Sequence, residues 1–363
     1  MRAMTSPIEF PALVIGLMSG TSADGVDAAL LRTDGEQAVQ PIASTHIRYH
    51  DALRQQILDL MKGQGDRDSI AQALTEVHLA AIEQLIDQNK MWRQDIKLIG
   101  FHGQTILHQP EKGITLQIGN PQWLAEKAGI PVVFDFRSND VKHGGQGAPL
   151  VPLYHAALAG SLEKPVMVVN IGGVANVTWM GVDGSIEAMD CGPGNALIDD
   201  WMGSHTGARC DANGAAAKRG ITNEATVKDF LRNKFFVQNR ARSLDRNHFT
   251  TSLVAGMNLE DGAATLTAIT AAAIGWSARA MPELPKQLLI TGGGRHNPVM
   301  MRMIAERSHI TTAPVEKVGW NGDMLEAEAF GYLAVRSMRG LPLSLPSTTG
   351  VSEPVTGGVL FTP

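Results

Sequence analysis

A chain of 363 residues with 44% hydrophobic and 18% charged residues is typical of a soluble globular protein, and its length favours two domains or two lobes around a cleft. A net charge of −5 without long runs of Lys or Arg argues against nucleic-acid binding. The apolar stretches are too short to span a bilayer, and two cysteines are too few for a disulfide scaffold. Glu9 and Pro11 interrupt the N-terminal apolar run, which argues against a secretory signal, so we expect a cytoplasmic protein without a membrane partner.

The first predicted elements are two strands joined by a polar turn, within VIGLMSGTSADGVDAALL at residues 14–31. Apolar residues then recur at steps of three and four over residues 68–89, which predicts a helix with Asp68 or Ser69 as its cap. Three further strands are predicted in IKLIGFHG, ITLQIGNP and IPVVFDF. Alternation of strands and helices indicates an α/β fold.

A breaker-rich segment, GGQGAPLVP at residues 144–152, is predicted to be a hinge or a cleft loop. The strand, glycine turn and strand pattern then restarts at Pro165 and runs through PVMVVNIGGVANVTWM, so a duplicated architecture is the simplest account. The last third predicts an Ala/Thr-rich helix over residues 262–281, the strand KQLLITGGG and a final helix near residues 325–338. A tail rich in Pro, Ser, Thr and Gly follows, and it is expected to pack against the rest of the chain because it keeps apolar residues at intervals.

Three glycine-rich turns follow strands, at Gly20, at Gly172 and at residues 292–294. Backbone N–H groups, small side chains and hydroxyls are what phosphate groups need, and these turns provide them. Neither the G-x-x-x-x-G-K-[ST] nor the G-x-G-x-x-G pattern follows a strand here, so a nucleotide would be bound by another fold.

These turns lie within a series of motifs that resembles the anhydro-N-acetylmuramic acid kinase family, in the actin-like ATPase and sugar kinase superfamily. The motifs run in order from Ile15 to the tail: GLMSGTSADGVDAAL, FHGQTILHQP, QIGNP, DFRSNDVKHGGQGAPLVP, NIGGVANVTWM, MDCGPGNALIDDW, LLITGGGRHNP and LEAEAFGYLAVR. The resemblance implies an α/β, two-lobed, actin-like ATPase (ribonuclease H-like) fold with duplicated domains and an interlobe cleft. We expect residues 1–150 to form the N-terminal lobe, with the C-terminal tail packing back on it, and residues 151–363 to form the C-terminal lobe.

The resemblance also implies a reaction. The family uses Mg-ATP to open 1,6-anhydro-N-acetylmuramic acid with water and to phosphorylate the freed O6, which gives N-acetylmuramic acid 6-phosphate and ADP in peptidoglycan recycling. Its members are generally homodimers, so ATP, Mg²⁺, the amino sugar and a second copy of the chain are the expected ligands and partners. The implied ATP-binding residues are Gly20, Thr21, Ser22, Ala23, Asp24, Gly25, Val26, Asp27, Gly172, Gly173, Gly292, Gly293 and Gly294.

Two acidic positions have both a catalytic and a structural interpretation. Asp190 lies at the family's catalytic position, where a carboxylate can act as general base on water; alternatively it caps the helix NALIDDWM. One of the two acids of the first turn can hold Mg²⁺ through water; Asp24, inside the turn, is the better candidate, and the alternative for Asp27 is that it simply begins the returning strand. Both acids are also ordinary residues of a polar turn.

Four polar residues are candidates for binding the sugar, because they follow strands of the first lobe, where α/β proteins bind ligands: His102, Gln104, Arg137 and Asp140. Glu326, near the start of the final helix, is a fifth candidate. Arg137 could hold a lactyl carboxylate through two parallel hydrogen bonds. The alternative is an Arg137–Asp140 pair that only fastens the loop.

Two alternative functions stay open from the sequence. One is a kinase for another sugar, in which a hydroxyl of the substrate attacks ATP directly. The other is a nucleotide-switched binding protein on the same fold. The chain also departs from its relatives in RSLDRNHF at residues 242–249, and in Lys142 and His143, where small residues are usual.

Overall fold

The computed structural model describes residues 8–237, 244 and 248–363, and the chain divides into two compact units. The first unit comprises the chain up to Gly160 together with Met324–Pro363, and the second comprises Ser161–Asp323.

Both units combine strands with helices. The strands are β1 (Ala12–Ser19), β2 (Gly25–Thr33), β3 (Val39–Arg48), β4 (Ile96–Gln109), β5 (Ile114–Ile118), β6 (Val132–Phe134), β7 (Val166–Ile171), β8 (Val174–Met180), β9 (Ile186–Pro193), β10 (Gln287–Thr291), β11 (Thr311–Pro314) and β12 (Val359–Phe361). The α-helices are α1 (Asp51–Met61), α2 (Arg67–Gln88), α3 (Pro121–Ala128), α4 (Ser138–Lys142), α5 (Pro152–Leu158), α6 (Ala196–Thr206), α7 (Ala215–Arg219), α8 (Glu224–Phe230), α9 (Lys234–Val237), α10 (Leu259–Ala280), α11 (Pro298–Ser308), α12 (Leu325–Met338) and α13 (Pro346–Thr349).

The two sheets share one topology. In the first unit the strand order is β12-β6-β4-β1-β2-β3, with β5 on β4; in the second it is β11-β10-β7-β8-β9. In each sheet three consecutive strands form an antiparallel meander, and two later strands add in parallel beside the first of them. This repeated 3-2-1-4-5 order confirms the duplicated α/β, ribonuclease H-like fold that the resemblance implies.

The two hairpins and the helices predicted from the sequence are present. β1 pairs with β2, and β7 pairs with β8, each antiparallel. The helix predicted over residues 68–89 is α2, but its N-cap is Asp66, whose carboxylate accepts from Ser69 N–H. Neither Asp68 nor Ser69 is the cap, because the helix begins one residue earlier than the apolar spacing indicates.

The observed division of the chain differs from the expected 1–150 and 151–363 in two respects. The first unit extends to Gly160, and it includes α12 as well as the C-terminal tail. Helix α12 packs on β1, β2 and β4 because Gly16 and Gly100 present no side chain there: a Cβ at either position would overlap the α12 backbone. The tail then adds β12 antiparallel to β6.

Each unit has its own apolar core. In the second unit the Ala/Thr-rich helix α10 is buried along most of its length. Within the described part of the chain, no helix is both long and apolar enough to cross a membrane.

Candidate active site

The first glycine turn connects β1 to β2 in the first unit. Ala23 N–H donates to Gly20 O at 3.0 Å, and Ala23 has a left-handed φ of 51°. Thr21, Ser22 and Asp24 are exposed at the turn, whereas Gly25 and Val26 already belong to β2 and are buried. Eight residues from Gly20 to Asp27 are predicted to bind ATP, and the exposed polar ones among them, Thr21, Ser22 and Asp24, are those that a ligand can reach.

The turn is held by side chains from two other elements. Gln104 on β4 donates from Nε2 to Gly20 O at 3.0 Å and accepts from Ser19 Oγ at 2.7 Å. Arg54 on α1 donates from Nη2 to Ser22 O at 3.2 Å, and its Nε lies 3.4 Å from Asp24 Oδ1. Sequence reasoning missed Arg54, because nothing in the α1 segment shows that it faces the turn.

The two acids of the turn have different surroundings. Asp24 is more than half exposed at the tip, beside Arg54. Asp27 lies inside β2, and its Oδ1 is 2.7 Å from His46 Nδ1 on the neighbouring strand β3. Asp27 thus belongs to the returning strand, as the sequence predicts, and Asp24 is the acid that a metal-bound ligand could approach.

The second and third glycine turns lie next to one another in the second unit. Gly172 and Gly173 join β7 to β8, and Gly172 O accepts from Asn195 N–H at 2.7 Å. Gly292 follows β10 with φ +73°, and a Cβ there would lie 2.7 Å from Ile171 O. Only glycine allows this close approach, so the two turns predicted as phosphate sites are packed together at the ends of β7 and β10.

Asp190 lies near the end of β9, next to a β-bulge. Asn176 on β8 pairs with Asp190, whereas the preceding Ala175 pairs with Gly192, so Cys191 is the extra residue. The Cys191 side chain is fully buried, and that of Asp190 is half-buried. Bulges near strand ends re-aim side chains, and this one lies beside the acid of interest.

The environment of the Asp190 carboxylate suits a general base. Burial raises its pKa from 3.8 to about 7, although the hydrogen bond from Leu244 N–H to Oδ2, at 2.5 Å, acts in the opposite direction. The helix that follows is α6, and its N-cap position is Asn195. The capping interpretation of Asp190 is therefore wrong, and the raised pKa is one that a base working near neutral pH needs.

Two amides that sequence reasoning left out of the site lie in register with Asp190. Asn170 on β7 pairs with Asn176 on β8, which in turn pairs with Asp190. Cross-strand partners in antiparallel sheets have their side chains on the same face. Asn170, Asn176 and Asp190 therefore form a row on one face of the sheet. In the sequence, only the two asparagines of NIGGVAN indicate the two amides of this row.

The candidate sugar-binding residues of the first unit fall into two groups. His102, Gln104 and Asp140 are buried, with at most 2% of their surface exposed. Asp140 accepts from Gly147 N–H and from Thr349 Oγ1, each at 2.5 Å. These three side chains shape the site from within the protein.

Arg137 and Glu326 are the more accessible members of the group. Arg137 is half-buried and donates to His102 Nε2 and to Gly147 O, and Glu326 is exposed near the start of α12. Burial lowers the pKa of the Arg137 guanidinium to about 10, an effect partly opposed by the negative charges of Glu326 and Asp140. The guanidinium still carries its charge at neutral pH and is able to bind an anion.

The structure contains no preformed cluster of metal ligands among residues 8–237, 244 and 248–363, where no group of three or more His, Cys, Asp or Glu side chains could hold an ion. Mg²⁺ is usually held by one or two carboxylates together with substrate phosphates. Asp24, with its exposed carboxylate at the first glycine turn, fits this mode of binding, in which phosphates supply the other ligands.

The divergent segment RSLDRNHF falls largely outside the described residues: Leu244, His248 and Phe249 are described, whereas residues 242, 243 and 245–247 are not. Leu244 provides the N–H group on Asp190, and Phe249 packs against the core of the second unit.

Comparison with known proteins gives one consistent family. A family model described as anhydro-N-acetylmuramic acid kinase matches residues 12–363. A protein of that name from Rhizorhabdus wittichii is 48% identical over 361 residues, covering 97% of this chain and 99% of the relative. Another, from Acidiphilium cryptum, is 48% identical over 359 residues, covering 96% and 98%. A third, from Brucella canis, is 44% identical, also covering 96% and 98%.

Similarity to solved structures is more distant. Component A of the (R)-2-hydroxyglutaryl-CoA dehydratase of Acidaminococcus fermentans shares 14% identity, with coverage of 90% of this chain and 99% of that one and a TM-score of 0.48. At this distance the likeness carries no functional argument.

Proposed function

Because this chain belongs to the anhydro-N-acetylmuramic acid kinase family, we propose that it uses ATP and water to convert 1,6-anhydro-N-acetylmuramic acid into N-acetylmuramic acid 6-phosphate and ADP. The observation that carries the proposal is Asp190: a half-buried carboxylate with a pKa near 7, on the same strand-end face as two amides and in the same unit as two glycine turns.

In the proposed reaction Asp190 takes a proton from a water molecule whose oxygen attacks C1 of the sugar. The C1–O6 bond of the anhydro bridge breaks, and O6 leaves with its electron pair. O6 then bonds to the γ-phosphorus, and the oxygen between the β- and γ-phosphorus leaves with ADP. The water oxygen remains on C1, so one general base initiates both the bridge opening and the phosphoryl transfer.

The glycine turns are proposed to bind the nucleotide. The exposed part of the first turn offers backbone N–H groups and the hydroxyls of Thr21 and Ser22 to phosphate oxygens, and Gly172, Gly173 and residues 292–294 offer backbone alone. Mg²⁺ would bind together with the phosphates and neutralise their charge, and the Asp24 carboxylate would contact it through a water molecule.

On the sugar side, Arg137 is proposed to bind the lactyl carboxylate and Glu326 to contact the polar groups of the sugar. His102, Gln104 and Asp140 would support the site without touching the sugar, because they are buried. A cytoplasmic homodimer is proposed from the family resemblance alone.

Product analysis in ¹⁸O-labelled water tests the reaction. We expect one labelled oxygen at C1 of the 6-phosphorylated sugar and none in the phosphate. Phosphorylation without label at C1 would indicate direct attack by a sugar hydroxyl. ATP hydrolysis that ignores the added anhydro sugar would instead indicate a nucleotide-switched binding protein.

The pH dependence of turnover provides a second prediction. Because Asp190 must be ionised to accept a proton and its pKa is raised to about 7, kcat should fall about tenfold per pH unit below that value and level off above it. Saturating Mg-ATP and sugar keep substrate binding out of the profile. An acid limb near pH 4 would show that the group responsible has an ordinary carboxyl pKa.

A further inference from the structure

His102 and Arg137 form a directed pair inside the first unit. The His102 ring is almost fully buried on β4, and its Nδ1 lies 2.8 Å from Gly103 O. Its other nitrogen, Nε2, lies 3.0 Å from Arg137 Nε. A carbonyl oxygen only accepts, and an arginine Nε–H only donates. The two contacts therefore fix the tautomer: Nδ1 carries the proton and Nε2 accepts from arginine.

The same pair keeps the histidine neutral. A second proton on Nε2 would face the Arg137 N–H and oppose its positive charge. Burial, followed by the charge of Arg137, lowers the pKa of His102 well below its ordinary range. The imidazole is thus a permanent acceptor at neutral pH, which is the reverse of its usual role as an acid or base.

Arg137 is also held on its far side. Its Nη1 donates to Gly147 O at 2.7 Å, and Gly147 is fixed in turn by its N–H bond to the buried Asp140. The bond to His102 and the bond to Gly147 O together use two of the five N–H donors of Arg137, one on Nε and one on Nη1. The edge of the fork formed by Nη1 and Nη2 is the part that a planar anion such as a carboxylate would engage.

An aromatic ring supports both partners. Phe330 on α12 lies with its ring centre 4.4 Å from that of His102 and 5.8 Å from Arg137 Cζ. The plane of the guanidinium is therefore restrained by packing as well as by its hydrogen bonds. A fork held at three points loses little freedom when it binds a carboxylate, and this lowers the entropic cost of binding.

We propose that His102 is a positioning residue that orients the Arg137 fork, and that this pair makes the enzyme selective for sugars that carry a carboxylate over otherwise equivalent neutral sugars. The inference rests on the proposed function. It assigns selectivity to a buried neutral histidine that does not touch the sugar itself.

The test compares two substrates on three proteins. The substrates are 1,6-anhydro-N-acetylmuramic acid and 1,6-anhydro-N-acetylglucosamine, which lacks the lactyl carboxylate. The proteins are wild type, His102→Phe, which keeps a ring but removes the acceptor, and His102→Gln, whose amide oxygen can replace Nε2 as acceptor. We expect His102→Phe to raise KM for the acid by about tenfold or more, since a charge-assisted hydrogen bond is removed from the network.

The neutral sugar serves as the internal control. Its kcat/KM should change little in His102→Phe, so the preference for the acid should fall by about the factor by which KM rises, and His102→Gln should recover part of it. The ATP dissociation constant, measured by calorimetry, should match that of wild type in both variants.

Other outcomes overturn the inference. An unchanged preference for the acid in a folded His102→Phe protein would show that His102 does not act on selectivity. Equal losses on both sugars would show a merely structural role. If His102→Phe fails to fold, His102→Leu, which also lacks an acceptor, takes its place, and an unchanged preference for the acid in that protein would overturn the inference in the same way. A wild-type protein that phosphorylates neither sugar would refute the proposed function instead.

Discussion

Replacing Asp190 with Asn is expected to lower kcat by about a thousandfold while leaving the fold and ATP binding intact. A positioned general base contributes about a hundredfold to ten-thousandfold to turnover, and Asn offers no basic oxygen of comparable strength. The amide oxygen can still accept the hydrogen bond from Leu244 N–H, so local structure is preserved. Steady-state kinetics and calorimetric titration with ATP separate the two effects.

The matched control is Asp183→Asn, which makes the same chemical change in the β8–β9 turn. Asp183 is exposed and accepts from Ser185 N–H and Oγ, so its loss should leave kcat within about twofold of wild type, as expected for a surface substitution. Burial disfavours the ionised form of Asp190, so the Asp190→Asn protein should be no less stable than wild type at pH 8. A folded Asp190→Asn protein that keeps a tenth of wild-type kcat would remove Asp190 from the role of base.

The turns and the duplicated hairpins could be predicted because their signals are local. Strand, glycine turn and strand repeat at residues 14–31 and again from Pro165, and the structure shows both hairpins at the start of equivalent meanders. The identity of Asp190 as a site residue came from the family resemblance, since local sequence allowed the cap equally well. Its raised pKa depends on burial, which one strand does not reveal.

The assignment of α12 could not be predicted, because it depends on contacts between distant parts of the chain. Its sequence predicts a helix over residues 325–338 and nothing about the surface that it covers. The deciding residues are Gly16 and Gly100, which lie more than 220 positions earlier and allow α12 to approach β1 and β4. Their sequence context shows only two glycines in apolar strands.

The roles of His102, Gln104 and Asp140 were out of reach for the same reason. Polar residues at strand ends predict a ligand site, but they do not distinguish groups that touch a ligand from groups that hold its neighbours. The structure makes that distinction through burial and partners: Gln104 holds the first glycine turn, and Asp140 holds the loop that contacts Arg137.

Gly100→Ala is expected to have the largest effect on stability. A Cβ at this position would overlap Phe330 O and lie 2.6 Å from Phe330 C, both in the α12 backbone, so no side-chain rotation can relieve the contact. Overpacking of this kind costs about 1–3 kcal/mol, and more where backbone must move, so we expect the first unit to lose about 3 kcal/mol of its free energy of unfolding.

Hydrogen exchange measured by mass spectrometry locates this loss. Peptides from β4 and α12 should exchange faster in Gly100→Ala, whereas peptides from α10 in the second unit should be unaffected. Gly160→Ala is the control, since a Cβ there meets no atom within 4 Å, and its exchange should match wild type throughout. Because α12 also carries Glu326 and Phe330, Gly100→Ala should weaken sugar binding as α12 is displaced. Wild-type exchange in β4 and α12 of Gly100→Ala would mean that the close approach of α12 to β4 does not hold the first unit together.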